Sequence, residues 1–261
     1  MRRPLDQELV RRGLASDRNA AREVISSGRV RVGGRPALKD STLVRPDDAV
    51  ALGPEGRRFV SRGGEKLSAA LERFGVDARG RRCLDAGAST GGFTDCLLRA
   101  GAEHVIAVDV GYGQLDWTLR TDPRVTVLER TNARELRADE LPYRPDLVTA
   151  DLSFISLASV VPTLAELSSP EAEFLLLIKP QFEAAAAAVE EGGVVRDPAV
   201  RARAIEDVAA AASRSGLQPA GVMASPLTGP AGNAEFLLHA RRGSVPGSHV
   251  DAAEAVAEAD R

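Results

Sequence analysis

The run Cys83-Leu-Asp-Ala-Gly-Ala-Ser-Thr-Gly-Gly-Phe93 holds the residues best suited to chemistry. An apolar strand ends in a carboxylate, Asp85, a small-residue turn follows, and a helix opens at about Thr90. Gly87, Gly91 and Gly92 let a ligand approach the backbone, and a helix start offers N–H groups without intrahelical partners. About two dozen residues on, His104-Val-Ile-Ala-Val-Asp109 ends in a second acid. Backbone for one end of a ligand and a carboxylate for ribose hydroxyls is the layout of a nucleoside site. A dinucleotide fingerprint fits less well, because Ser89 stands where GxGxxG needs its second glycine. Gly87-Ala-Ser-Thr-Gly91 formally fits a nucleophile elbow, but that chemistry needs a histidine. His104 opens a strand, His239 lies within one and His249 falls in the tail. The hydrolase reading lacks its base.

Four further groups lie mostly near strand ends: Lys66, Asp151, Lys179 in Leu176-Leu-Ile-Lys-Pro-Gln-Phe182, and Glu235 in Gly232-Asn-Ala-Glu-Phe236. A lysine that ends an apolar strand is costly unless it is paired or functional. For any one of them alone a surface ion pair is the commoner explanation.

The elements that must position these groups read as an alternation. Strands are expected at 82–87, 104–109, 124–129, 146–151, 173–179, 218–223 and 234–240, with helices at 92–100, 114–121, 156–167 and 198–215. Apolar strands such as Phe174-Leu-Leu-Leu-Ile178 imply a sheet covered on both faces, a doubly wound α/β fold. With 44% hydrophobic and 27% charged residues the chain is ordinary globular protein. Cys83 and Cys96 fall inside elements and supply neither a disulfide framework nor a zinc cluster, so no metal is expected. No apolar run reaches the ~18–20 residues of a membrane span, and no signal-peptide core opens the chain. A cytoplasmic monomer that avoids membranes is the expectation.

Residues 1–58 carry 13 Lys/Arg against 8 Asp/Glu, although the whole chain is −3. They read as two short helices within 4–28, with Gly13 ending the first and Ser16 or Asp17 capping the second. A basic hairpin, Arg29-Val-Arg-Val-Gly-Gly-Arg35, and a strand pair in 41–52 around Pro46-Asp-Asp48 follow. This order, with Asp6, Leu9, Gly13, Arg18, Ala21, Ile25, Gly28, Val30 and Val32, resembles the S4 RNA-binding domain. The resemblance implies phosphate contacts from Arg18, Arg22, Arg29, Arg31 and Arg35, with Arg3 beside them. The expected division is 1–56 for this module, 57–65 for a glycine-rich linker, 66–242 for the α/β domain, and 243–261 for a tail with little to bury, disordered or a frayed helix.

The glycine turn resembles the first motif of Rossmann-like methyltransferases, which bind S-adenosylmethionine. That resemblance assigns Asp85, Gly87, Ser89, Thr90, Gly91, Gly92 and Phe93 to the cofactor, Asp109 to its ribose and Asn132 to its adenine. Asp151 would lie over the methyl-donor region. Amino-group methylation of nucleic acids usually uses an Asn/Asp-Pro-Pro-aromatic turn, where this chain has Asp151-Leu-Ser-Phe154. Carbon-5 methylation needs an accessible cysteine, and both cysteines should be buried. A hydroxyl acceptor remains, and its proton needs a base such as neutral lysine.

In their order, Lys66, Asp151, Lys179 and Glu235 resemble the Lys-Asp-Lys-Glu tetrad of FtsJ-like ribose 2′-O-methyltransferases. Ser61-Arg-Gly-Gly-Glu-Lys66, Lys179-Pro-Gln-Phe182, Gly192-Gly-Val-Val-Arg196 and Ser225-Pro-Leu-Thr-Gly-Pro-Ala-Gly-Asn233 complete a likeness to the TlyA family over roughly 3–242. It implies methylation of a cytidine ribose in ribosomal RNA of one or both subunits. It also implies a base or orienting role for Lys179, with Lys66 adding like-charge repulsion, Asp151 fixing its direction and Glu235 positioning the nucleotide or Lys66. Arg57-Arg-Phe-Val60 resembles the linker that couples RNA binding to cofactor binding in relatives. Ala184 to Ala188 depart from the Gly and basic residues that relatives carry after Gln-Phe-Glu. Rival readings are a non-catalytic RNA-binding protein on a cofactor fold and a membrane-lytic haemolysin, a label the family also carries. An S4-bearing pseudouridine synthase would not show this alternation.

Overall fold

The computed structural model describes residues 2–26, 29–37, 39–52, 59–243 and 250–261, and the chain divides into two compact units, 1–58 and 59–261. In the first, β1 (Arg3–Pro4), α1 (Leu5–Arg11), α2 (Arg18–Ser26), β2 (Val30–Val32), β3 (Arg35–Pro36), β4 (Leu43–Val44) and β5 (Val50–Leu52) follow in order. Leu5 and Leu9 from α1 meet Ala21 and Ile25 from α2 over Val30 and Val44. Asp17 accepts the Asn19 and Ala20 N–H groups at 2.9 Å and caps α2. Gly33 and Gly34, both at positive φ, turn β2 into β3. The expected strand pair in 41–52 does not form as a pair: β4 lies against β1 and β5 against β2. The Asp48 carboxylate accepts the Arg45 N–H and turns the chain between β4 and β5, which end in different sheets.

The second unit runs α3 (Gly63–Phe74), β6 (Arg82–Ala86), α4 (Gly92–Arg99), β7 (His104–Asp109), α5 (Trp117–Arg120), β8 (Val125–Glu129), β9 (Leu147–Ala150), α6 (Val161–Leu167), β10 (Glu173–Ile178), α7 (Pro180–Glu183), α8 (Pro198–Arg214), β11 (Leu217–Ala224), β12 (Phe236–Arg242) and α9 (Ala252–Ala259). The sheet order is β11-β12-β10-β9-β6-β7-β8, with β12 antiparallel to both neighbours and β10 through β8 parallel. Period-two alternation sorts the side chains. Leu84, Ile106, Val148, Leu176 and Leu238 face the core shared with α6, α8 and α9. Cys83, Val105, Leu147, Leu175 and Leu237 face the core shared with α3, α4 and α5. Each fully buried Leu or Ile contributes roughly 1.5–3 kcal/mol, so two such faces hold the sheet between its helices. This is the doubly wound, Rossmann-like architecture expected from the sequence, with β12 inserted antiparallel.

Four further expectations need correction. Helix 114–121 shrinks to Trp117–Arg120, where Asp116 caps the turn by accepting the Thr118 N–H. Helix 156–167 breaks into a 3-10 turn, Leu157–Ser159, and α6, with Pro162 in the first turn of the latter. The glycines assigned to a linker ending at 65 belong to α3: a Cβ on Gly64 would collide with the Phe59 ring, so this glycine is there for close packing. The tail expected to be disordered or a frayed helix contains a packed one, α9, whose Ala252, Ala255 and Val256 are buried against α8 and β11. Small side chains bury less area each, but they let α9 sit close.

Candidate active site

The parallel strands β6, β7, β8 and β9 end along one edge, and a cleft of about 500 Å³ opens there. Gly87, Ser89, Asp109, Gln114, Asn132, Asp151 and Phe154 are among the residues that line it. Gly87 has φ +85° and a Cβ there would run into the Asp151 carbonyl, so only glycine carries β6 into the turn. Ser89 adopts φ +49° and donates its N–H to Asp109 Oδ2 at 2.8 Å, while the Gly111 N–H donates to Oδ1 at 2.7 Å. Asp109 is therefore held rigidly at the cleft wall with lone pairs to spare. Asn132 keeps its side chain at the same wall through Glu135 and the Arg134 N–H. The Ser89 hydroxyl meets Gln114 at 3.4 Å and not a histidine, which removes the nucleophile reading.

Asp85, Thr90, Gly91, Gly92 and Phe93 do not line the cleft. Asp85 is fully buried beneath the turn and accepts the Thr94 hydroxyl at 2.7 Å and the Thr149 hydroxyl at 3.3 Å. Burial pushes its carboxyl up to about 7, the Thr94 hydrogen bond working against this and the nearby Asp151 charge adding to it. Phe93 is a core residue, and Gly92 lacks a side chain because Ser61 and Gly64 occupy the space. Gly91, at φ +98°, lies against Leu115 and Leu119. Thr90 is exposed and its carbonyl accepts the Asp116 N–H. These residues shape the turn from behind.

Next along the same edge come the ends of β9, β10 and β12. Asp151 follows β9, and its Oδ1 lies 2.6 Å from Lys179 Nζ, at the end of β10. Lys179 also donates to Ser153 Oγ at 2.9 Å, and its ammonium stands 6.0 Å from the Phe182 ring centre. Ile178 pairs with Phe236 across the antiparallel β10–β12 ladder, which sets Lys179 and Glu235 at adjoining strand ends. Glu235 is buried and forms an ion pair with Lys66, itself buried on α3. The four groups thus form two ion pairs. A fully buried pair without a task adds little stability.

The loop before Glu235 is tied down. Asn233 is buried, its Oδ1 accepts the Val195 N–H at 2.8 Å and its Nδ2 donates to the Gly193 carbonyl at 2.8 Å. A Cβ on Gly229 would stand 2.6 Å from Glu235 Oε1, so this glycine leaves the carboxylate its space. Glu183 accepts the Ser156 hydroxyl and the Leu157 N–H, both at 2.6 Å, and so fastens the 153–159 loop to α7.

In the first unit Arg18 and Arg22 are engaged with buried Asp6, Arg18 at 2.8 Å and Arg22 at 3.6 Å, although both remain half exposed. Burial raises the Asp6 carboxyl, but hydrogen bonds from Arg18 and the Gln7 N–H outweigh it and hold the group below its ordinary value. Arg3 and Arg31 are exposed, and Arg29 Nε is buried without a hydrogen-bond partner among the described residues. The Arg35 side chain, like residues 57 and 58 of the coupling motif, lies outside the described residues.

The FtsJ-like methyltransferase model matches residues 59–242 and the S4 domain model residues 3–50. The 16S/23S rRNA (cytidine-2′-O)-methyltransferase TlyA of Mycobacterium tuberculosis is 55% identical, over 91% of this chain and 89% of its own length. This chain belongs to the TlyA family of FtsJ-like methyltransferases. Another relative, Hemolysin A of Brachyspira hyodysenteriae, is 37% identical over 90% of this chain and 98% of its own. A provisionally named hemolysin of Lactococcus lactis superposes with a TM-score of 0.75 at 41% identity, covering 78% of this chain and all of its own. No helix among the described residues is long and apolar enough to cross a membrane.

Sequence reasoning missed several residues of this TlyA-family site. Val110, Gln114 and Phe154 line the cleft, and Phe154, 92% exposed at φ +64°, lays its ring 5.3 Å from that of Phe182. A phenylalanine directly after Asp151-Leu-Ser, in a turn, was the available signal.

Proposed function

We propose that this methyltransferase modifies the 2′-hydroxyl of a cytidine ribose in ribosomal RNA, working in the cytoplasm as a single copy. S-adenosylmethionine is the methyl donor, and when bound it supplies a methyl group on a sulfonium, already activated for transfer. The cleft fits it: Gly87 leaves the backbone open, the Ser89 N–H orients Asp109 for a ribose, and Asn132 offers an amide at the adenine end. The observation that carries the reading is Lys179 Nζ, held 2.6 Å from Asp151 and 2.9 Å from Ser153 where the cleft meets the β10–β12 strand ends.

Lys179 takes the proton of the 2′-hydroxyl or orients that hydroxyl, and Asp151 fixes the direction of the lysine. Lys66 and Glu235 hold one another in place on the other side, where they orient the acceptor ribose. Positioning carries most of the rate, since the donor needs no further activation. Because all four groups come from one chain, a single copy suffices. Arg3, Arg29 and Arg31 of the S4 domain engage phosphates, with Arg18 and Arg22 available in part and Arg35 alongside them. The relatives' names leave the choice between one subunit RNA and both, and this chain is assigned the 16S and 23S RNAs on its 55% identity to the first relative.

The test is transfer of labelled methyl from S-adenosylmethionine to purified ribosomal subunits by the wild-type chain and by Lys179→Ala. Loss of transfer by about 10²-fold or more with donor binding intact is expected. Full transfer by the variant would overturn the role of Lys179.

A further inference from the structure

The last helix, α9, lies beyond the residues that match the methyltransferase model, yet two chains of contacts lead from it to the flanks of Glu235. The first runs along the sheet edge. β11 is an edge strand, so alternate N–H groups point away from β12 and need other partners. At its end, Ser225 donates its N–H inward to the Glu235 carbonyl at 2.8 Å, while Ala224 donates outward, to Glu258 Oε2 of α9, at 3.0 Å. Glu258 thus fixes the residue directly before the one that holds the Glu235 backbone.

The second chain passes through α8. Asp260, just after α9, pairs with Arg201 Nη1 at 2.7 Å, and Arg201 is only 8% exposed. Arg201 Nε donates to the Val195 carbonyl at 2.9 Å, and the Val195 N–H donates to Asn233 Oδ1 at 2.8 Å. Asn233 stands two residues before Glu235. The 225–235 segment is therefore linked at both ends to the α9 region, directly through Glu258 on one side and through Val195, Arg201 and Asp260 on the other, and Ala255 and Val256 anchor α9 in the core.

We infer that α9 is a positioning element of the methyl-transfer site, with Glu258, Asp260 and Arg201 as positioning residues that set Glu235 and, through it, Lys66. The inference rests on the proposed place of the Lys66–Glu235 pair in that site. None of the three residues touches the cleft, so their effect belongs to the step that needs exact placement and not to binding.

The experiment compares full-length Glu258→Ala, Glu258→Gln, Asp260→Ala and Glu235→Gln on ribosomal subunits with S-adenosylmethionine. Glu258→Ala and Asp260→Ala should each lower kcat about 10-fold while donor Kd and RNA KM stay within about twofold. Glu258→Gln keeps an oxygen for the Ala224 N–H and should restore most of kcat. Wild-type kcat in both alanine variants, or an equal loss in Glu258→Gln and Glu258→Ala, would overturn the inference. Should Glu258→Ala fail to fold, Asp260→Ala decides by the same split. Glu235→Gln separates the two levels: full activity there would overturn the site assignment itself, whereas its loss beside unaffected α9 variants would overturn only the role of α9.

Discussion

At the scale of the residue, the two ion pairs differ in their surroundings: Lys179 is bonded to Asp151 and Ser153, which line the cleft, whereas Lys66 of α3 is buried with Glu235. Lys179 has Asp151 and Ser153 as partners, so its direction is set twice over. Asp109, clamped by two backbone N–H groups, should matter for the donor and not for the proton. Asp109→Ala is expected to weaken donor binding by roughly 10-fold or more, the worth of a charged hydrogen bond, with kcat at saturating donor little changed. Titration calorimetry checks this. Asp85 behaves differently because it is buried and its carboxyl is raised to about 7. Between roughly pH 4, its ordinary value, and 7 the folded state holds more protons than the unfolded one, so stability from this group falls as pH rises through that window. Asp85→Asn should flatten the fall, measured by urea unfolding at pH 5 and pH 7.5. That Lys179, Asp151 and Glu235 are paired was legible, because acids and lysines at the ends of apolar strands are expensive unless partnered. Asp85 and Phe93 were misplaced because residue type cannot distinguish a side chain in a turn from one beneath it.

At the scale of the element, close contact explains more than local propensity. α3 begins with two glycines, poor helix formers, because Phe59 packs where a Gly64 side chain would be and Gly92 needs the same closeness from the other side. Gly64→Ala should destabilise the second unit by about 1–3 kcal/mol through overpacking, despite its better helix propensity, and thermal unfolding reads the shift. Strands were legible for the same reason that the sheet is stable: alternating apolar runs feed two cores. Short helices were less so. α5 is one turn and α6 follows a 3-10 turn, since the loops above the cleft are held by side chains such as Asp116 and Glu183. The packing of α9 was not legible because alanines signal little burial, although its position on an edge strand gives it something to cover.

At the scale of the whole molecule, charge separates the two units. The basic excess lies in residues 1–58, and the rest of the chain is acidic. Glu8, hydrogen-bonded by Arg11 and Arg12, is held at about 2, and Asp6 is also low. Both carboxylates help the first unit above their ordinary values and cease to as pH falls toward 2, so hydrogen exchange in the full chain should show that unit opening first in acid. Where Arg29 and Arg31 meet phosphates, replacing both by alanine should lower the slope of log affinity for ribosomal RNA against log salt by about 1–2, without changing donor binding. The charge asymmetry was visible in the sequence. The internal pairing of Arg18 and Arg22 with Asp6 was not, since it depends on how α1 and α2 cross.

The most direct test of the account is nucleotide mapping by mass spectrometry. Ribosomal subunits lacking the modification are incubated with the chain and labelled S-adenosylmethionine. The label should appear as 2′-O-methylcytidine, and Lys179→Ala should abolish it. A labelled base, or label on the ribose of other nucleosides only, would contradict the account.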